Sequence, residues 1–347
     1  MKKNVLAVIT GVGYGDPVRE EPVLDALKRY ANIKIAGYGK SYDFFRNKFE
    51  VIKIHGYRLL GYNLRFQFFG FLFMNAFLPI FWLIDIVRLL TGRFKPNIVI
   101  TDFEPIGIFL SKLSRVPCVS IFAFDPLVEH KELNWLTKLQ VWYIKLLYKW
   151  SDIVIVSSLI KKRKNVGKYI YVGPIVRRQP NELPSESTLL RKLKFKRKPI
   201  MISVGGSAFG VNLVNEMLTF LEEIDEDFII FGYPASFTRK NLRSYIFQED
   251  FLEYLKISKG VITLAGYSTL AECVVFGKPM LVFPIENHVE QQANVFALKN
   301  FAMLGNKTEL KKSILNFIKD LPELKRKMPN VKSDGSETAN VIIGAMK

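Results

Sequence analysis

The sequence predicts an α/β protein made of two doubly wound, Rossmann-like domains that face each other across a cleft. Its 347 residues are about twice the length of a typical domain. Short β-branched runs alternate with helix-like segments, which is typical of βαβ units in a parallel sheet. This alternation ends near residue 175 and then begins again. The predicted divisions are a first domain at 1–178, a basic linker at 179–198, a second domain at 199–330 and a C-terminal helix or tail at 331–347.

Short apolar runs are predicted to form the strands of the first domain, at 4–10, 33–39, 97–102, 118–124 and 152–158. Helix-like segments lie between them, including 16–31 and 105–115. Ligands of such sheets bind outside the carboxyl ends of the strands. The loops that directly follow strands are therefore the first candidates for a site.

The second domain is predicted to repeat this architecture after a strand at 171–180 and a basic run at 191–198. Its strands are predicted at 199–206, 227–232, 259–266 and 279–284. Helices are predicted at 210–224 and 268–277.

The apolar segment 68–84 interrupts the alternation of predicted strands and helices in the first domain. It contains seventeen residues without a charge, including six Phe and one Trp, but also Asn75 and Pro79. Three interpretations remain open: a buried domain helix, a helix or helical hairpin in the membrane interface, and a transmembrane span, which needs ~20 residues. The aromatic content and the flanking basic residues favour a membrane-interface segment at 64–90. The Trp-, Tyr- and Lys-rich segment 134–150 has a similar composition, which is equally typical of an ordinary amphipathic helix.

The composition limits the classes of partner. A formal charge of +18 suits nucleic acid, an anionic membrane surface or a phosphorylated small molecule. No zinc finger or single-strand-binding signature is evident, so nucleic acid is the least favoured of the three. The two cysteines, Cys118 and Cys273, lie in apolar stretches and predict neither a disulfide framework nor a metal site. The N-terminus is typical of a first strand, and the expected location is cytoplasmic.

The first candidate site is the glycine loop GVGYGDPVREEP at 11–22, which follows the first predicted strand. Gly13 and Gly15 allow a tight turn and a close approach of the backbone to a ligand. The loop does not match the GxGxxG dinucleotide pattern. Asp16 is predicted at the N-cap of the next helix, and a plain capping role is the alternative to a catalytic one.

A second glycine loop, VGGSAFG at 204–210, also follows a predicted strand. Gly205, Gly206 and Ser207 offer backbone amides and a hydroxyl for a diphosphate. An ordinary turn between a strand and a helix is the alternative.

The segment 261–292 combines a strand end, a hydroxyl pair and a glutamate inside an apolar helix. Gly266, Tyr267, Ser268 and Thr269 are predicted at a helix N-terminus that favours phosphate, with Ser268 as the N-cap. Glu272 lies one turn further on and suits the two hydroxyls of a ribose. A capping box between Thr269 and Glu272 is the alternative.

Glu290 and Gln291 follow the next predicted strand and suit the vicinal hydroxyls of a sugar.

The sequence GYSTLAECVVFGKPMLVFPIENHVEQQAN resembles the nucleotide-sugar signature of glycosyltransferase family 28 and its family 1 relatives. With VGGS at 204–207, this resemblance covers most of the second domain. In the first domain, GVGYGDPVR and TDFEPIGIFLSKLSRVPCVSIF at 101–122 resemble an archaeal and bacterial branch of that superfamily.

The resemblance implies the GT-B fold and a single inverting displacement that requires neither a metal nor another cofactor. It implies that the nucleotide, most simply UDP, rests its base against the segment at Phe251. That branch commonly has a histidine, the candidate base, where this chain has Asp16. Asp16 is therefore the predicted base, with Asp125, Glu129 and His130 as alternatives.

The predicted function is transfer of a hexose or an N-acetylhexosamine to a lipid-linked or membrane-associated acceptor. The protein is expected on the inner face of the cell membrane. A nucleotide-sugar epimerase or hydrolase and a non-catalytic membrane-recruiting subunit are the alternative functions.

Overall fold

The computed structural model describes residues 2–62, 64–127, 134–160, 163–205, 208–246 and 248–346. The chain divides into two compact units. The first contains Met1–Leu60, Gln67–Arg177 and Ser333–Lys347, and the second contains Gly61–Phe66 and Arg178–Lys332.

The first unit is built on a parallel sheet in the order β3-β2-β1-β6-β7-β8-β9. Its strands are β1 (Lys3–Ile9), β2 (Ala31–Gly37), β3 (Glu50–Lys53), β6 (Ile98–Asp102), β7 (Cys118–Phe122), β8 (Ile153–Ser157) and β9 (Tyr169–Val172). Every residue of β6 and β7 is buried, as expected for β-branched strands with helices on both faces.

The helices of the first unit are α1 (Gly15–Leu27), α2 (Gly39–Phe45), α3 (Phe68–Met74), α4 (Leu78–Thr91), α5 (Ile106–Ser114), α6 (Trp135–Tyr148) and α13 (Ser336–Ala345). Helix α13 joins this unit because Ala339 and Ile342 pack in the same core as Val23 and Leu24 of α1. The segment predicted as a C-terminal helix or tail, 331–347, thus contains a helix that packs in the first core.

The second unit has a second sheet, in the order β12-β13-β11-β10-β14-β15-β16. Its strands are β10 (Ile200–Ser203), β11 (Phe228–Phe231), β12 (Phe237–Arg239), β13 (Leu242–Tyr245), β14 (Gly260–Thr263), β15 (Met280–Val282) and β16 (Ala302–Leu304). All neighbouring pairs are parallel except β12 with β13 at one edge. A small antiparallel hairpin of β4 (Gly61–Tyr62) and β5 (Arg65–Phe66) also belongs to this unit.

The helices of the second unit are α7 (Glu186–Lys192), α8 (Val211–Leu218), α9 (Phe251–Ile257), α10 (Tyr267–Val275), α11 (Val289–Leu298) and α12 (Leu310–Lys327). The segment predicted as a basic linker region, 179–198, lies in the second unit. This segment contains a 3-10 turn and α7, whose N-cap Ser185 accepts a hydrogen bond from the Thr188 amide. Its basic residues occupy the last turn of α7 and the stretch after it, where they favour the helix dipole.

The apolar segment 68–84 forms α3 and the first half of α4, and the two helices are bent by 54°. Among the described residues, no single helix is both long enough and apolar enough to cross a membrane, and this bent pair passes that test only jointly. One face of α4 is buried: Ile86 and Leu89 pack with Val99 and Leu110. These buried residues lie after residue 84, and within 68–84 itself only Phe68 is buried, so the structure does not support a buried helix for this segment.

Asp85 explains how a charge can lie in this apolar helix. It is 1% exposed, and its Oδ2 accepts a hydrogen bond of 2.6 Å from the His55 amide. The His55 ring Nδ1 lies 3.0 Å from the same oxygen. A buried carboxylate needs such partners, and here they fasten α4 to the loop after β3.

Candidate functional site

Each sheet has a topological switch point, where the strand order reverses and ligands of open α/β sheets bind. In the second unit it lies between β10 and β14. The loops after these strands carry Gly205 and Gly266, so the structure brings two of the predicted glycine loops to one edge of one sheet. Gly206 and Ser207 lie outside the described residues.

Helix α10 begins at this edge. Its N-cap is Gly266, so the prediction that Ser268 caps the helix is wrong; Ser268 and Thr269 are its second and third residues. A serine is a good cap in general, but the extended backbone at Gly266 (φ −70°, ψ 133°) begins the helix earlier. The amides of the first turn therefore belong to Tyr267, Ser268 and Thr269, and the Tyr267 amide donates to Oε1 of Glu290 at 3.1 Å.

Neither conformation nor packing requires a glycine at position 266, a property that Gly344 shares. The φ of Gly266 is one that any residue adopts, and a Cβ there would meet no described atom within 4 Å. Gly205 differs, because its φ of +68° lies in the left-handed region that favours glycine. A close ligand would explain the missing side chain at Gly266.

Glu272 lies in the second turn of α10 and is 3% exposed. Burial of a carboxylate in an otherwise apolar helix carries a cost that partners must offset. Glu272 therefore needs polar partners, and it lies in the helix that begins at the switch point.

Glu290 and Gln291, at the start of α11, make structural hydrogen bonds. Oε1 of Glu290 accepts from the Tyr267 amide at 3.1 Å. Oε1 of Gln291 accepts from the amides of Ala265, at 3.3 Å, and Ile285, at 2.8 Å. Gln291 is 6% exposed. These bonds join α11 to the loop before α10; contact of either side chain with a sugar stays a prediction.

Phe251 is the first residue of α9, and its ring packs edge-on against Phe231 at 5.1 Å between centroids. It is only half-buried. A role in holding a nucleotide base stays a prediction.

In the first unit the switch point lies between β1 and β6. The loop after β1 contains Gly13, and Gly15 is the first residue of α1. Gly11 is required for packing, since a Cβ there would lie 1.6 Å from the Tyr38 carbonyl oxygen. Asp16 is the second residue of α1, not its N-cap as predicted, because the helix begins after Tyr14.

Arg19 joins Asp16 to the end of β6. Its Nη2 lies 2.7 Å from Oδ1 of Asp16 and also bonds to Oδ1 of Asp102. Its Nε donates to Oδ2 of Asp102 at 3.2 Å, which completes a two-pronged pair. Asp102 and Arg19 are buried, whereas the Asp16 side chain is 22% exposed. The arrangement fixes a partly exposed carboxylate at the strand ends.

Two further carboxyl groups lie beside this pair, and sequence reasoning missed both. Glu20 and Glu104 are completely buried. Burial, and next the charge of Asp102, raise the pKa of Glu20 well above its usual value. Burial likewise raises the pKa of Glu104 well above its usual value, and the charge of Asp16 adds to that shift. We call Asp16, Arg19, Glu20, Asp102 and Glu104 the acidic cluster.

Glu104 follows a strained residue. Phe103 has a φ of +52°, a left-handed conformation that is uncommon for a bulky side chain. Neither carboxyl oxygen of Glu104 has a hydrogen bond within the part of the chain that the structure describes. The sequence TDFEP, directly after a predicted strand, was the signal that could have found it.

Hydroxyl groups border the acidic cluster. Thr10 Oγ1 lies 2.9 Å from the Tyr38 hydroxyl and 3.1 Å from the Tyr57 hydroxyl, which donates to the Phe103 carbonyl at 3.0 Å. Burial raises the pKa of both tyrosines. The Tyr57 ring also packs edge-on against Phe71 of α3, at 5.9 Å between centroids. Tyr57 therefore connects this polar network with the apolar helices.

The alternative bases are less informative. Oδ1 of Asp125 accepts from the Leu127 amide, and Oδ2 forms a 2.8 Å ion pair with Arg163. These contacts hold a loop together. Glu129 and His130 lie outside the described residues.

This chain resembles known proteins in both sequence and fold. The sequence profile of Glycosyl transferase family 1 matches residues 3–322. An uncharacterised glycosyltransferase of Methanopyrus kandleri is 23% identical over 218 residues, which cover 60% of this chain and 62% of that protein. The chain thus spans less than two thirds of this relative's length.

A second relative is the UDP-N-acetylglucosamine–N-acetylmuramyl-(pentapeptide) pyrophosphoryl-undecaprenol N-acetylglucosamine transferase of Desulforamulus reducens. It is 24% identical over 220 residues, with 54% of this chain and 57% of that protein covered. The crystal structure of MurG from Acinetobacter baumannii superposes with a TM-score of 0.61 at 14% identity, covering 99% of both chains. The predicted fold is confirmed as GT-B, and the chain belongs to Glycosyl transferase family 1.

Proposed function

We propose that the protein is an inverting glycosyltransferase. It transfers a hexose or an N-acetylhexosamine from a nucleotide sugar, most simply a UDP-sugar, to a hydroxyl group of a lipid-linked or membrane-associated acceptor. The observation that carries this proposal is the unexplained Gly266 at the N-terminus of α10, on the switch point of the second sheet. Membership of the family supports the reaction class.

The donor diphosphate binds the N-terminus of α10 at Ser268 and Thr269, beside Tyr267, since the first turn of a helix carries the positive end of its dipole. The Ser268 and Thr269 hydroxyls add donors. Gly205, Gly206 and Ser207 serve the same diphosphate from the second loop. As the sugar–phosphate bond breaks, these donors stabilise the charge that develops on the leaving group.

The rest of the donor is held by side chains around α10, α11 and α9. Glu272 accepts hydrogen bonds from the ribose hydroxyls, and Phe251 lies against the base. Oε2 of Glu290 faces the donor sugar while Oε1 remains bound to Tyr267. Gln291 orients this region through its bonds to Ala265 and Ile285.

The acceptor is activated at the acidic cluster. A carboxylate oxygen of Asp16 takes the proton of the acceptor hydroxyl as the acceptor oxygen forms its bond to the anomeric carbon. The bond from that carbon to the diphosphate breaks, and its electron pair leaves with the nucleotide. Arg19 and Asp102 hold Asp16 in position, and attack opposite the leaving group inverts the anomeric centre.

An exposed apolar face on α3 and α4 supports a lipid acceptor. We call this the apolar face: Phe69, Phe73, Phe77, Ile80, Leu83 and Ile84, each more than half exposed. Isolated exposed apolar residues are common, whereas a contiguous group marks an interaction surface. Trp135 of α6 continues the face, 6.4 Å from the Phe69 ring. The net charge of +18 favours anionic lipid as the partner.

Two observations link this face to the chemistry. Tyr57 contacts both the polar network and Phe71, so a hydroxyl-bearing head group and an apolar tail find suitable surfaces in one unit. The Desulforamulus reducens relative is named for an undecaprenol-linked acceptor, which supports a lipid-linked acceptor here.

The test is a panel of radiolabelled nucleotide sugars, each incubated with purified protein and total membrane lipid. We expect one UDP-sugar to transfer label into the organic phase, and the Asp16→Asn protein to lose this activity. Release of free sugar without lipid labelling would indicate a hydrolase and overturn the proposal. Activity of Asp16→Asn equal to wild type would reject the assigned base.

A further inference from the structure

The hairpin of β4 and β5, Gly61–Phe66, is part of the second unit although the chain on either side of it belongs to the first. We call this segment the inserted hairpin. Leu64, near its tip, is 5% exposed and has a φ of +58°. A bulky residue in this left-handed conformation is a genuine outlier, so surrounding contacts must hold it there.

Those contacts are made with Glu286, directly after the strand end that leads to α11. The Glu286 amide donates to the Leu64 carbonyl at 2.6 Å, and the Phe66 amide donates to the Glu286 carbonyl at 2.9 Å. Arg65 and Glu286 thus form a parallel bridge. Both backbone groups of Glu286 are satisfied by the inserted hairpin, which fixes this residue from two sides.

A side-chain contact continues the attachment. The Phe66 ring, 7% exposed, packs against the His288 ring at 5.9 Å between centroids and 64° between planes. His288 is the N-cap residue of α11. Asn287, between the two attached residues, has a φ of +59°, so the short segment before α11 is sharply bent and held at both ends.

From α11 the contacts reach the candidate diphosphate loop. Glu290 and Gln291 accept hydrogen bonds from the amides of Tyr267, Ala265 and Ile285. Asn294 donates from Nδ2 to the Ala265 carbonyl at 3.0 Å. A continuous series of contacts therefore runs from Phe66 to the amide that precedes Gly266.

We propose that the inserted hairpin is a positioning element of the donor site and that Phe66 is its positioning residue, setting the N-terminus of α11 and thereby the loop at Gly266. This inference rests on the proposed donor site. Phe66 does not contact the donor; its effect is exerted through His288, Glu290 and Gln291. Its loss weakens nucleotide binding and leaves the catalytic step unchanged at saturating donor.

The first test does not require a ligand. Hydrogen exchange is followed at the amides of Ala265, Tyr267 and Ile285 in wild type and in Phe66→Ala, with Phe66→Leu as a milder variant should the first fail to fold. Phe296→Ala is the control, since this phenylalanine lies on the same helix α11 and is 41% exposed. We expect faster exchange at the three amides in the Phe66 variants only. Equal exchange in wild type and both Phe66 variants would overturn the proposal.

The second test measures UDP binding by calorimetry in the same proteins. From the usual strength of such an aromatic pair, we expect the dissociation constant for UDP to be about fivefold larger in Phe66→Ala. We expect Phe66→Tyr to restore the wild-type affinity. In the transfer assay, we expect KM for the donor to rise in Phe66→Ala and kcat to stay unchanged.

Two outcomes would reject the inference and leave the hairpin as a purely structural element. The first is faster exchange in the Phe66 variants with unchanged UDP affinity. The second is a loss of UDP affinity in Phe296→Ala equal to that in Phe66→Ala. Absence of UDP binding in wild type would reject the UDP assignment alone, and the exchange result would still decide on the hairpin.

Discussion

The two candidate sites differ in how far their buried polar side chains are hydrogen-bonded. In the second unit, Gln291 and Asn294 are buried and bond to backbone atoms of strand-end loops. In the first unit, Glu104 is equally buried, yet neither of its carboxyl oxygens has a hydrogen bond among the described residues. Phe103 beside it is held in a left-handed conformation.

This contrast agrees with the roles proposed above, donor binding in the second unit and proton transfer in the first. Satisfied amide side chains stabilise the loops and hold them rigid. Unpaired buried carboxyl groups and strained backbone reduce stability, and their concentration at one point favours a functional reason for keeping them. We therefore expect substitutions in the second unit to change donor affinity, and substitutions in the acidic cluster to change turnover or stability.

The largest expected effect is at Asp16. The Asp16→Asn substitution removes the proposed base, and we expect the transfer rate to fall about a thousandfold while UDP affinity stays unchanged. Asp25→Asn is the matched control, since Asp25 lies on the same helix and its side chain is 52% exposed. A comparable loss of UDP affinity in Asp16→Asn would remove the proposed division between the sites.

The next effect is the pH dependence of stability set by Glu104. Its pKa is raised in the folded state, so its contribution is fully favourable below the unfolded pKa of about 4 and is lost as pH rises towards the folded pKa. We expect Glu104→Gln to gain stability relative to wild type by about 1.4 kcal/mol per pH unit over this window.

Urea unfolding at pH 5, 6 and 7 measures this difference. Glu50→Gln is the control, because the Glu50 side chain is 70% exposed. A difference between Glu104→Gln and wild type that does not change with pH would show that Glu104 is charged in the folded protein, and the proposed contrast would fail.

A smaller effect is expected at Glu272. The Glu272→Gln substitution preserves shape but removes the charge that strengthens hydrogen bonds to ribose hydroxyls, so we expect UDP to bind about tenfold more weakly. Calorimetry provides the measurement, with Glu323→Gln, a 59% exposed position on α12, as control. Unchanged UDP binding would reject the ribose assignment and leave Glu272 as a structural residue.

The smallest expected effect concerns the apolar face. Phe73 is 87% exposed, and its replacement by Ala is expected to weaken binding to anionic phospholipid vesicles about fivefold. The same substitution at Phe296 of the second unit should have no effect. If Phe73→Ala and Phe296→Ala sediment equally with the vesicles, the apolar face does not bind membranes more strongly than the surface of the second unit.

The sequence was most informative in the second unit because its site is local. Gly266, Ser268, Thr269 and Glu272 lie within one strand end and one helix, and a polar cluster in an apolar run is visible without a structure. The helix start was misplaced by two residues because Ser268 is a better cap by propensity than Gly266, while backbone conformation decided the outcome.

The candidate site of the first unit was harder to predict because its residues are distant in the sequence and come together only in the fold. Arg19 bonds to both Asp16 and Asp102 because β1 and β6 are neighbouring strands in the sheet. No local spacing in the sequence indicates that these two strands are neighbours. The inserted hairpin was missed for a similar reason. Its two-residue strands carry no recognisable periodicity, and their partner, Glu286, is distant in the sequence.

The placement of α13 has a consequence for synthesis. Ile342 packs with Val23 in the core of the first unit, but the ribosome makes the second unit before it makes this helix. Domains generally fold in order as they emerge during translation. Here the residues of α1 must wait for those of α13 before their core is complete, so the nascent first unit depends on a helix that is translated after the second unit.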